Sequence, residues 1–169
     1  MAEYILQAQT IQPGADAIIS QNPIRDRGLW VRFPNGIRRW FWTVRARLGS
    51  TLIQLNGRLP LFSRGGCQCQ CCQDNSIGYP VHFSGNIAIA EGGTAGTVSL
   101  AITVNGTVLP ESRMDSTPAA VGDSNNINTQ VTADVWQGCC ESITVRNISD
   151  QAVTITESVL DIGEPNLNR

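Results

Sequence analysis

Six cysteines offer this chain its most reactive side chains, and they fall in two groups. The run CQCQCC holds Cys67, Cys69, Cys71 and Cys72. Cys139 and Cys140 follow about seventy residues later. Thiolates bind zinc when four of them close a tetrahedron, which ordinarily takes two separated Cys-x-x-Cys pairs. The crowded spacing of Cys67, Cys69, Cys71 and Cys72 is poor for that. A second chemistry is the disulfide. The vicinal pairs Cys71-Cys72 and Cys139-Cys140 are ill placed to bridge to themselves, because disulfide geometry does not suit adjacent residues. A bridge from the run to Cys139 or Cys140 would close a loop of about seventy residues, worth about 4 kcal/mol in the chain-entropy model. Bridged cysteines, free thiols and a weaker metal site on the four crowded cysteines all stay open.

Arginine beside tryptophan is the next constellation: Trp30, Arg38, Arg39, Trp40, Trp42, Arg45 and Arg47. Cations interleaved with aromatics can hold nucleic acid, with phosphates bound by charge and bases by stacking. Strand parity argues otherwise. Trp40 and Trp42 alternate in step with Val44, Ala46 and Leu48, as core or interface residues do. Arg39, Arg45 and Arg47 take the opposite positions. The stretch therefore reads as a docking edge for an acidic protein surface, or as a solvated edge that resists aggregation, rather than a nucleic-acid platform. His82 is the only histidine, so any Ser- or Cys-based hydrolase would depend on it, and no oxyanion motif accompanies it. GGTAG (residues 92–96) lacks the lysine and following helix of a phosphate loop and reads as a turn. No catalytic residue and no cofactor is implied.

The elements that carry these residues are strands. In VSLAITV, Val98, Leu100, Ile102 and Val104 share one parity. Tyr79, Val81, Phe83, Ile87 and Ile89 do the same, with Gly85 interrupting. Such alternation offers one apolar face per strand to a core. Leu29-Val31-Phe33 and the run 39–48 flank Pro34-Asn35-Gly36 and predict a hairpin. Further turns are predicted at Asn56-Gly57, Gly92-Gly93, Asn105-Gly106 and residues 147–150. The stretch 109–126, rich in Pro, Ser, Asp and Asn, is read as a long surface loop, with strand resuming near 128–135.

Composition fits a folded, non-helical chain of 169 residues: 41% hydrophobic but only 15% charged, below the usual quarter. Every fixed positive charge is arginine. Residues 25–64 hold nine arginines against Asp26 alone, a net of +8, whereas residues 65–169 hold three against eleven acids, a net of −8. Residues 1–20 are too polar for a signal peptide, and no apolar run is long enough to span a bilayer. Cytoplasmic synthesis without a membrane partner is the expectation, with disulfides forming late if at all.

GNIAIAEGGTAGTVSLAITVNGTVLPES, then TPAAV, then GCCESITVRNISDQAVTITESVLDI resembles the small TNF-like jelly-roll proteins of phages and of spore surfaces in Gram-positive bacteria. The resemblance is closest over residues 79–162. It implies an all-β jelly-roll sandwich in one domain, assembled as a homotrimer. Residues 1–28 would be an N-terminal strand and attachment segment, 29–64 the arginine-rich strands and 65–78 a cysteine-rich loop. It also implies a non-enzymatic structural protein, a capsid decoration or head-fibre knob on the virion surface. Its partners would be copies of itself and a capsid or other virion protein. A receptor- or glycan-binding knob is the alternative, for which Tyr79, Phe83 and Trp136 are the aromatics at hand.

Overall fold

The computed structural model describes residues 2–20, 28–32, 38–46, 49–56, 76–136 and 140–167. Among these, two antiparallel six-stranded sheets lie face to face. Sheet A has the path β1 (Ala2–Leu6), β13 (Val153–Ile162), β7 (Ser76–Ile89), β11 (Ser124–Trp136). In it β2 (Gln9–Ile11) pairs with β13, and β14 (Asn166–Leu167) pairs with β7. Sheet B has the path β10 (Met114–Ser116), β8 (Val98–Val104), β12 (Cys140–Asn147), β6 (Ile53–Asn56), β5 (Val44–Ala46), and β9 (Thr107–Val108) pairs with β8. From β6 onward the chain crosses between the sheets, visiting B, A, B, A, B and A in turn. That winding makes the fold an all-β jelly roll.

Alternation explains the core. Tyr79, Val81, Phe83, Ile87 and Ile89 of β7 are buried, as are Val98, Leu100 and Ile102 of β8 and Val131, Ala133 and Val135 of β11. The strand β7 runs through Gly85 without a break, because Gly85 is an inward position opposite Ser158 of β13. The register of β13 shifts by one residue between Ile155 and Ser158. This bulge resets the parity: Val153 and Ile155 point inward before it, Ser158, Leu160 and Ile162 after it. A Cβ on Gly85 would collide with Ser158 Oγ and lie 2.7 Å from Ser158 Cβ.

Three expectations need correction. Residues 39–48 are not one strand. The chain bends at the buried Thr43, where β4 (Arg38–Trp42), paired with β3 (Gly28–Arg32) in a separate hairpin, gives way to β5, paired with β6. Residues 109–126 are not a featureless loop. They contain a 3-10 turn at Pro110–Ser112, the strand β10 and the start of β11. Ser112 anchors the turn: its buried hydroxyl accepts from the Ile102 N–H (2.8 Å) and donates to the Leu109 carbonyl (2.7 Å). The loop read as 65–78 ends earlier, since β7 begins at Ser76.

Two polar devices close the sandwich. Residues 12–20 cross from β2 to sheet B, where Asp16 forms an isolated bridge with Arg146. The Arg146 guanidinium donates to both Asp16 oxygens (2.7 and 3.1 Å) and to the Gly106 carbonyl (3.0 Å), and Thr144 donates to Asp16 at 2.9 Å. The buried Asn147 donates to the carbonyls of Ile11 and Gln151 and accepts from the Ser149 N–H. It thereby ties β2 to the turn between β12 and β13.

Candidate functional site

Described side chains from four strands define the outer face of sheet A. Its rows follow from register. Glu3, Asp161, His82 and Gln130 stand side by side across β1, β13, β7 and β11, and Ile5, Val159, Ser84 and Asn128 form the next row. Neighbours within a row sit about 5 Å apart. Thr132, Asp134 and Trp136 continue the outward side of β11, and all three are exposed. The face is therefore polar and anionic. Glu3, Asp134, Glu157 and Asp161 supply carboxylates, and among the described residues its basic group is His82, whose Nδ1 lies 3.8 Å from Asp161 Oδ2.

Beside the β13 bulge the face dips into an open hollow of about 640 Å³, lined by Ile5, Gln7, Ala8, Glu157, Ser158 and Val159. Ile5 and Val159 are half-buried walls, whereas Gln7, Ala8 and Glu157 are exposed. The bulge creates this dip, because its extra residue pushes Glu157 outward between β1 and β2, which pair with either side of it.

This arrangement suits contact rather than covalent chemistry. Ser84 follows His82 on the same face at a two-residue repeat of about 6.8 Å. A nucleophile and its base need about 2.6–3.2 Å. Among the described residues no cluster of three His, Cys, Asp or Glu side chains is placed to hold a metal ion.

The arginine-bearing segment is placed in part. Arg45 is exposed on β5, an edge strand of sheet B, beside Ser50, Leu52 and Gln54. Trp30, Arg38, Arg39, Trp40 and Trp42 belong to β3 and β4, where register pairs Trp30 with Trp40 and Arg32 with Arg38. Arg47 lies outside the described residues, as do Cys67, Cys69, Cys71, Cys72 and Cys139. Cys140 opens β12 opposite Asn56, the last residue of β6, and Ser76, the first residue of β7, pairs with Trp136 at the end of β11. The two roots of the segment that carries CQCQCC thus flank the β11–β12 connection that carries Cys139.

That end of the sandwich also holds a carboxyl group against its preference. Glu141 is 9% exposed. Burial raises its pKa above the usual glutamate value, the Trp136 N–H hydrogen bond opposes the shift, and the charge of Asp134 adds to it. Of the aromatics considered for sugar stacking, Tyr79 and Phe83 are fully buried, whereas Trp136 is 55% exposed. The hollow and the carboxylate rows escaped the sequence reading. The polar parity of β11 hinted at such a face, but the bulge that forms the hollow has no composition signal of its own.

No protein-family model and no curated protein matches the chain. Solved structures do resemble it. The crystal structure of murine APRIL at pH 8.5 has a TM-score of 0.50 at 10% identity, over 96% of this chain and 98% of that one. A family 35 carbohydrate binding module from Clostridium thermocellum has a TM-score of 0.32 at 16% identity, over 94% and 90%. The CBM35 of Cellvibrio japonicus Abf62 has 0.32 at 14%, over 96% and 99%. The likeness to APRIL agrees with a TNF-like jelly roll.

Proposed function

We propose that this protein is a non-enzymatic module that acts through surface contact, as a homotrimeric structural component of a phage particle. The position in mind is a capsid decoration or head-fibre knob, made in the bacterial cytoplasm and displayed on the virion. The observation that carries the contact reading is the open, anionic outer face of sheet A in a chain whose cations are concentrated in residues 25–64. Homo-oligomers mostly close by point-group symmetry. The resemblance of residues 79–162 to phage and spore-surface jelly rolls supports the particle role. In this reading a disulfide from the CQCQCC run to Cys139 or Cys140 staples the end where those segments are rooted. Light scattering at micromolar concentration tests the assembly. A trimer would weigh three times the 18.3 kDa protomer, and a monomer would remove the proposal.

Trp136 favours a second reading, a glycan- or receptor-binding knob. Its exposed ring caps a strand whose outward side chains, Gln130, Thr132 and Asp134, can hydrogen-bond sugar hydroxyls. Glycan-array binding abolished by Trp136→Ala would support that reading, and an empty array would remove it.

A further inference from the structure

The self-association proposed above leaves open which surfaces meet, and the hollow beside the β13 bulge suggests one of them. We infer that this hollow receives Arg45 of a second copy of the chain, so that the anionic face of sheet A takes the edge strand β5 of a neighbour. The inference rests on that self-association.

Three observations converge. First, the hollow has the chemistry of an arginine receptor. Ile5 and Val159 give half-buried apolar walls for the methylene stem, and Gln7 and Glu157 give acceptors at the rim. Arginine buries its stem while its planar fork pairs with a carboxylate, which suits a site of mixed character better than a compact ammonium does. Glu3 and Asp161, paired across β1 and β13 on the same face, extend the negative potential. Second, the only fixed side-chain cation this chain can supply is arginine, and nine of its twelve arginines lie in residues 25–64. Third, the arginines outside that segment with described side chains already have partners. Arg113 pairs with Asp115 at 2.8 Å and Arg146 with Asp16 at 2.7 Å. Arg45 instead stands exposed at the edge of sheet B, lining a different hollow from the one Glu157 rims. Donor and acceptor patches thus differ, as a head-to-tail contact requires, and such a contact closes into a ring when the rotation permits.

The test is sedimentation of the full chain at about 50 mM and about 500 mM NaCl, which shortens the Debye length from about 14 Å to about 4 Å. The proteins are wild type, Glu157→Arg, Glu157→Gln, Arg45→Glu and Glu157→Arg/Arg45→Glu. Glu111→Arg, exposed in the 3-10 turn away from the hollow, is the control. Wild-type association should weaken with salt. Glu157→Arg should weaken it about tenfold or more at low salt, with Glu157→Gln intermediate. Arg45→Glu should weaken it similarly and restore it when combined with Glu157→Arg, while Glu111→Arg behaves as wild type. Wild-type oligomers that ignore Glu157→Arg at low salt, or a complete absence of rescue, would overturn this inference and leave the oligomer standing. A wild-type monomer at low salt would overturn the self-association as well.

Discussion

Replacing Gly85 by alanine tests the packing at the β13 bulge. Gly85 faces inward on β7, directly opposite Ser158. An added Cβ would strike Ser158 Oγ and approach Ser158 Cβ to 2.7 Å and its Cα to 3.1 Å. Rotating the serine hydroxyl away relieves only the first of these. The other two require β7 and β13 to separate, and overpacking of this kind costs about 1–3 kcal/mol. The upper part of that range applies, because a backbone atom is among those struck. For a chain of this length about 2–3 kcal/mol lowers the melting temperature by about 4–12 °C. Ser158 provides the internal control. The residue is 1% exposed, and its buried hydroxyl has no hydrogen-bond partner. Ser158→Ala should therefore stabilise the protein, by about 1 kcal/mol, since a buried unsatisfied polar group costs about 1–3 kcal/mol. Gly85→Ala/Ser158→Gly removes both clashing side-chain atoms and should recover much of the loss, whereas Gly85→Ala/Ser158→Ala keeps the Cβ contact and should recover little beyond the gain of about 1 kcal/mol that Ser158→Ala gives alone. Differential scanning calorimetry at one fixed protein concentration measures all four variants. A Gly85→Ala protein that melts with wild type, or a rescue by Ser158→Ala equal to that by Ser158→Gly, would refute the steric account.

Asp16→Ala should destabilise by about 2 kcal/mol in urea titration, because it strips a partly buried Arg146 of its carboxylate and Thr144 of its acceptor. Glu141 sets a pH dependence. Its folded pKa is raised, chiefly by burial, so its contribution is fully present below the unfolded value near 4.5 and is lost as pH rises through the folded value. Glu141→Gln should therefore leave stability at pH 4 little changed and increase it at pH 7, and melting curves at the two pH values check this. Peptide mapping of non-reduced protein should join the peptide holding Cys67–Cys72 to the one holding Cys139 and Cys140. Six titratable thiols in air-exposed material would contradict the staple.

The sandwich was legible because half-buried strands write their inward face at every second residue, as Tyr79-Val81-Phe83 and Leu100-Ile102 do. The Asn105-Gly106 turn was legible too: both residues adopt positive φ, 50° and 80°, which these residue types tolerate best. What escaped are places where one residue changes partner or phase. Thr43 looks like any outward strand position, yet the chain bends there and moves from β3 to β6. Met114–Ser116 is too short to show a period, and only its pairing with β8 makes it a strand. The early part of β11 carries Asn and Ser outward, so its polarity read as loop. Glu157 shows the limit most clearly: its outward position depends on a bulge beside Ser158, which packs against a glycine of β7.

The crossing made by residues 12–20 has a mechanical consequence. Ala2 pairs with Ile162 at one corner of sheet A, and the chain beyond β13 stays in that sheet as β14, paired with β7. Tension applied there would peel β1 away like a zip, one rung at a time, because the antiparallel ladder is loaded from its end rather than along its length. The tear would then run into β2 and the Asp16–Arg146 clamp, which pins the strap to the opposite sheet. A tether at this corner would give way softly at first and then stiffen, leaving sheet B intact behind the clamp.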